Sequence, residues 1–173
     1  TGKIGKIPYP CVPRDYVTEP YAAGVDILDI KRSGGRSQKW RALHVHTLEF
    51  LLTLLDTHEP GAMDHGQRTS EYSVKLARLM ALGDDKIETI RLGALLHDIG
   101  KIAVPDAILM KPAALTAEEK AVVNRHPETG YALMRTFPFL SEEADIAYAH
   151  HERFDGRGYP RGLAGDKIPL PAR

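Results

Sequence analysis

Residues 84–101 read DDKIETIRLGALLHDIGK, and this stretch decides the fold. Ile87, Ile90, Ala94 and Leu95 stand at i, i+3, i+7 and i+8, the pattern of one helix face. A helix is predicted from Asp84 to about Asp98, with Gly100 at its end. Its last residues, His97 and Asp98, bring an imidazole and a carboxylate to the helix end while the apolar side faces a core.

The flanking segments repeat the helical period. Trp40, Leu43, Leu48, Leu51, Leu52 and Leu55 predict a helix from Gln38 that Pro60 bounds. A second helix follows His65, with Tyr72, Leu76, Leu79 and Met80 lining one side and Gly83 as the C-terminal cap. Thr116-Ala117-Glu118-Glu119 is a capping box that opens another helix. That helix must finish by His126, because Pro127 disfavours helical geometry in the residue before it. Pro127 suits the first turn of the next helix, which runs to about Arg135. Ser141 can cap a last helix running to His150 and His151, and residues 155–160 form a turn-rich loop. The fold expected is all-α, a helical bundle with loops after Gly100 and after Glu152. Residues 1–37 differ. Pro8, Pro10, Pro13, Pro20 and the run Ser33-Gly34-Gly35 mark a Pro/Gly-rich arm or linker, in which residues 25–30 could form one short strand.

Composition narrows the class. The chain has 173 residues, room for one domain with a real core. Lys+Arg and Asp+Glu are equal at 23 each, which argues against a DNA binder. The single cysteine excludes a disulfide framework and a thiolate metal site. The most apolar run, Phe50 to Leu55, is far short of the roughly 20 residues of a membrane-crossing helix. No signal peptide is legible after Thr1, so cytoplasm is the expected compartment. The missing initiator Met fits a processed chain or one piece of a longer protein.

The chemistry concentrates in the histidines. Five of the eight, His65, His97, His126, His150 and His151, fall at or near predicted helix ends. Helix neighbours point about 100° apart, so His97-Asp98 and His150-His151 can each clasp a cation from two directions. A carboxylate has two oxygens, so Asp98 could bridge two cations. Nitrogen and oxygen donors without thiolate suit iron, manganese, nickel or zinc better than calcium or magnesium. Two such cations about 3.5–4 Å apart can serve phosphoryl transfer. Spacing alone leaves open the alternative of packed or solvated histidines, the reading taken for His44, His46 and His58. Lys101, three residues after Asp98, shares its face if the helix continues. There it stabilises charge on a phosphate, or it is a solvated cation favoured by the helix C-terminus. In the loop, Tyr159 can stack on a nucleobase and Arg153, Arg157 and Arg161 can pair with phosphate. A plain chain-reversing turn is the alternative.

His97-Asp98-Ile99-Gly100-Lys101 resembles the His-Asp motif of the HD phosphohydrolase superfamily. His150-His151-Glu152-Arg153-Phe154-Asp155-Gly156-Arg157-Gly158-Tyr159-Pro160 is similar to the defining segment of the HD-GYP subfamily. Pro105 to Leu109 and Arg125-His126-Pro127 resemble that family in order and spacing, so the likeness runs from Trp40 to Arg173. The resemblance implies an HD-GYP domain over 38–173. It implies two divalent transition metals, iron or manganese before nickel or zinc. It implies hydrolysis of cyclic di-GMP to linear pGpG and GMP by a metal-bridging hydroxide. By position, one metal takes His65, His97 and Asp98, and the other takes Asp98, His126, His150 and His151. Lys101 contacts the scissile phosphate, and the loop of Arg153, Arg157 and Tyr159 meets substrate or docks diguanylate cyclase (GGDEF) domains. Three-metal members carry Glu where Gly61 stands, so two metals are expected. The family continues past Arg173 to a downstream Asp ligand, so the domain is expected to be truncated and the first site short of a donor. Two alternatives follow: a weak or inactive module that binds cyclic di-GMP or a partner, and an HD phosphohydrolase acting on another nucleotide. A homodimer is also kept open.

Overall fold

The computed structural model describes residues 38–173, with side chains from residue 44 onward. The arm over 1–37, its short strand at 25–30, and the side chains of Trp40 and Leu43 lie outside the described residues. Seven α-helices follow one another among the described residues: α1 (Gln38–His58), α2 (Ala62–Leu79), α3 (Asp84–Leu96), α4 (Asp106–Leu109), α5 (Ala117–Val123), α6 (His126–Met134) and α7 (Glu143–Ala149). Among the described residues there is no strand, only one isolated bridge between Asp155 and Ala164. The domain is all-α, as the periodicity predicts.

Leu48, Leu51, Leu52 and Leu55 of α1 share one buried core with Leu92, Leu95 and Leu96 of α3 and with Ile99, Met134, Leu140, Ala144 and Ala147, α1 itself lying against α2 and the three-ten turn Ile99–Ala103. Each buried leucine is worth about 1.5–3 kcal/mol over its exposed state. α2 lies mainly on α3, α3 also on α7, and α6 on both α7 and the three-ten turn Ile99–Ala103. The core thus fixes the C-terminal ends of α3 and α7, where the histidines are.

Several boundaries and one face differ from expectation. α3 ends at Leu96, and His97 and Asp98 lead into the three-ten turn, so the pair sits in a tightening coil. The segment after Gly100 is partly helical, as α4 and that turn. α2 begins at Ala62, so His65 stands in its first turn and not before it. Its buried residues are Gly66, Ser70 and Ala77, while Tyr72, Leu76, Leu79 and Met80 are exposed. The large apolar residues are on the outer side because α2 meets α3 too closely for them. Gly83 does not end α2. Ala81 takes the left-handed position there (φ 54°), and Gly83 precedes α3 in extended geometry. The Thr116 capping box forms as read, and α5 stops at Val123, within the limit set at His126, with Pro127 in the first turn of α6. Ser141 does not cap α7; Glu142 holds that position, and the Ser141 hydroxyl donates to the Pro138 carbonyl.

Candidate metal centre

Four helix ends deliver the histidines to one place. His65 comes from the first turn of α2, His97 follows α3, His126 opens α6, and His150 follows α7. Asp98 stands among them, buried at 8% exposure. Its two oxygens face different partners. Oδ2 lies 3.3 Å from His97 Nε2 and 4.0 Å from His65 Nε2, whereas Oδ1 lies 3.2 Å from His126 Nε2 and 3.6 Å from His150 Nε2. Two donor groups result, His65–His97–Asp98 and Asp98–His126–His150–His151, with the donor atoms of each within 4.8 Å of one another. Asp98 is common to both. All six residues singled out as ligands in the sequence come together here. His44, His46 and His58 belong to neither group: His44 stacks on Phe139, His46 contacts Glu49, and His58 bonds the Val104 carbonyl at 2.9 Å and Asp106 at 3.0 Å.

The chain orients three of these rings by one repeated device. Nδ1 of His97, His126 and His150 contacts the carbonyl three residues earlier, on Ala94, Val123 and Ala147, at 2.6, 2.7 and 2.8 Å. A carbonyl only accepts, so Nδ1 carries the proton and Nε2 keeps its lone pair. That assignment makes the centre repulsive on its own. His126 Nε2 and His150 Nε2 are 3.1 Å apart, and His65 Nε2 and His97 Nε2 are 3.3 Å apart. Lone pairs this close need a proton or a cation between them. Imidazole nitrogens and carboxylate oxygens are the donors a divalent transition cation takes, so the residues present fit a metal.

Electrostatics agree with that fit. Burial raises the Asp98 pKa, but the contacts with His126, His150 and His97 outweigh it and hold the carboxylate ionised far below its usual range, contacts that need a second ring proton at Nε2 or a cation in its place. Burial, and then the neighbouring His150 and His126, push His151 down to about 4, so this imidazole stays neutral at physiological pH. Burial also lowers His150, against Asp98. For His97 burial lowers the pKa, and the bond and charge of Asp98 more than reverse this.

Lys101 reaches the cluster through the three-ten turn. Its Nζ is 2.9 Å from Asp98 Oδ2 and 3.1 Å from Oε1 of Glu59, a residue the sequence reading missed. Glu59 lies 42 positions from Lys101, and nothing but an acidic residue before Pro60 signals it. Its Oε2 is buried without a partner. Of the loop residues, Tyr159 stacks on His151, while Arg153 and Arg157 are exposed. Arg153 is bound to Asp155 at 2.8 Å, and the Arg157 backbone N–H also donates to Asp155.

Comparison with known proteins now bears on this geometry. The chain is 41% identical over 129 residues to the cyclic di-GMP phosphodiesterase response regulator RpfG of Xanthomonas campestris, covering 73% of this chain and 34% of that protein. It is 39% identical over 125 residues to a cyclic di-GMP phosphodiesterase of Thermotoga maritima, covering 71% of this chain and 34% of the relative. A 3'3'-cGAMP-specific phosphodiesterase 2 of Vibrio cholerae is 42% identical over 119 residues, 68% of this chain and 22% of its own length. The chain therefore spans about a third or less of the curated relatives it matches. The HD domain family model matches residues 49–173, a span that holds every histidine and carboxylate of the cluster. This chain belongs to the HD domain family.

Proposed function

We propose that the domain is a metal-dependent phosphodiesterase that hydrolyses cyclic di-GMP. The observation that carries this is the division of Asp98 between two donor groups, one carboxylate oxygen to each. In this proposal one cation is held by His65, His97 and Asp98, and a second by Asp98, His126, His150 and His151. Nitrogen and oxygen donors without thiolate suit iron, manganese, nickel or zinc, and the resemblance to the HD-GYP subfamily puts iron or manganese first. Cations bound there supply Lewis acidity and activate water for attack at phosphorus. The chain's own residues do the rest. Asp98 fixes the spacing of the two positions. Carbonyl-bonded His97, His126 and His150 present Nε2 inward without reorganisation, which is preorganisation built into helix ends. The Lys101 ammonium lies beside Asp98, where it can meet a non-bridging phosphate oxygen and offset the charge that grows there.

The substrate class follows from the relatives' names, which comprise cyclic di-GMP and 3'3'-cGAMP phosphodiesterases. A 3',3'-cyclic dinucleotide is common to both, and 3'3'-cGAMP is the second reading. The resemblance to the HD-GYP subfamily suggests diguanylate cyclase domains as partners of that loop, where Phe154, 71% exposed, offers an apolar contact surface. Hydrolysis of an internal messenger assigns the domain to the cytoplasm.

Manganese- or iron-loaded protein, offered cyclic di-GMP, 3'3'-cGAMP and nucleoside phosphates, should release pGpG or GMP from the first. The His97→Ala, Asp98→Ala double variant should lose bound metal and fall to background. Full activity in that variant would overturn these roles, and metal binding with no turnover on any substrate would reduce the domain to a binding module.

A further inference from the structure

His97, His126 and His150 are each oriented by a hydrogen bond from Nδ1 to a carbonyl of their own helix end. His151 makes no hydrogen bond through its ring among the described residues, although it belongs to the second donor group. Two residues beyond the end of α7, its ring does not bond the carbonyl three residues earlier, that of Tyr148. Its ring is held otherwise. The Tyr159 ring lies on it with centroids 4.6 Å apart and planes 16° from parallel. His126 meets it edge-on at 5.0 Å.

The loop between them is built to bring that tyrosine back. The Tyr159 backbone N–H donates to the His151 carbonyl at 3.2 Å, closing the loop on the residue it covers. Gly158 passes so near the chain it left that a Cβ there would lie 2.5 Å from the His151 carbonyl oxygen and from Glu152 Cα, and would collide with the Arg153 nitrogen. Only glycine permits the approach. The Glu152 carboxylate accepts from the backbone N–H groups of Arg161 and Leu163 at 2.8 and 2.9 Å, tying down the far side. Arg161 then lies over the Tyr148 ring at 4.4 Å, which anchors the loop to α7.

Resting on the metal-centre assignment above, we propose that Tyr159 is a positioning residue for His151: its ring takes the place of the missing carbonyl bond and fixes the imidazole for cation binding. Gly158 and Glu152 serve the same end. The chemistry is a flat ring limiting rotation of a neutral imidazole, so the ring is required and the hydroxyl is not.

Manganese titration of the metal-free full chain by calorimetry tests this, with wild type, Tyr159→Phe, Tyr159→Leu and His151→Ala side by side. Wild type should take two ions per chain. Tyr159→Leu should weaken one of the two about 10-fold or more, toward the His151→Ala result. Tyr159→Phe should stay within about 2-fold of wild type, since it keeps the ring. In turnover at saturating manganese, Tyr159→Leu should lower kcat more than it raises KM. Wild-type manganese affinity in Tyr159→Leu with a raised KM would overturn the proposal and make Tyr159 a substrate contact. An equal loss in Tyr159→Phe would overturn it too, and without reference to the folding of the leucine variant. Should wild type itself bind no manganese, the metal-centre assignment falls and this inference with it.

Discussion

Glu59 and Lys101 show how one side chain aims another at the residue scale. The Lys101 ammonium is shared between Asp98 at 2.9 Å and Glu59 at 3.1 Å. Burial lowers its pKa, yet the two carboxylates raise it above the ordinary value, so the charge is secure. Cations on both Asp98 oxygens would weaken its hold on Lys101, leaving Glu59 as the remaining anionic partner. Glu59→Gln should therefore lower kcat about 10-fold, the worth of roughly one charge-assisted hydrogen bond, with bound metal unchanged. In a Lys101→Met background the same change should cost nothing further, because the two act as a unit. Additive losses in that double-mutant cycle would sink the coupling. The six ligand candidates were legible because residue type and helix-end position point to them without tertiary knowledge. Glu59 was not, because only the packing of α1 against the three-ten turn Ile99–Ala103 brings it to Lys101.

Among the elements, α2 departs most from its sequence pattern. Apolar periodicity assumes that bulky residues turn inward, and here Gly66, Ser70 and Ala77 do so. The Ser70 hydroxyl even donates to the Arg91 carbonyl on α3 at 2.8 Å. A Cβ on Gly66 would lie 2.7 Å from the Leu95 carbonyl oxygen, a backbone atom with little freedom to retreat. Gly66→Ala should push α2 off α3 and cost about 1–3 kcal/mol in urea unfolding. It should also weaken manganese binding, because His65 is the next residue and faces His97 from α2. Unchanged unfolding and metal affinity would mean that the helices part without consequence. The Thr116–Glu119 box, in contrast, was legible because a cap is local: Thr116 Oγ1 accepts from the Glu119 N–H at 3.2 Å and Glu119 returns the bond. Ser141 misleads for the same local reason, its hydroxyl turning back to Pro138 in the preceding three-ten turn.

For the whole molecule, the all-helical class was legible from the repeated period, while the cost of packing a carboxyl among helices was not. Glu143, in the first turn of α7, is buried at 7% exposure. Burial, with the charges of Glu142 beside it and Glu88 on α3, pushes its pKa up to about 7, against favourable backbone hydrogen bonds. The unfolded chain ionises this group near its ordinary value of 4.5, whereas the folded chain keeps the proton until about 7. Between those values the folded state binds more protons, so stability falls as pH rises, by on the order of 3 kcal/mol, and levels off above 7. Glu143→Gln stays neutral throughout and should remove that fall. Relative to wild type, the variant should be close in urea unfolding at pH 4.5 and more stable by about 2–3 kcal/mol at pH 8. Taking the difference between the two proteins cancels the titration of the histidine cluster, which both share. Parallel curves from pH 4.5 to 8 would show that Glu143 ionises freely in the folded state and that α7 carries no such burden.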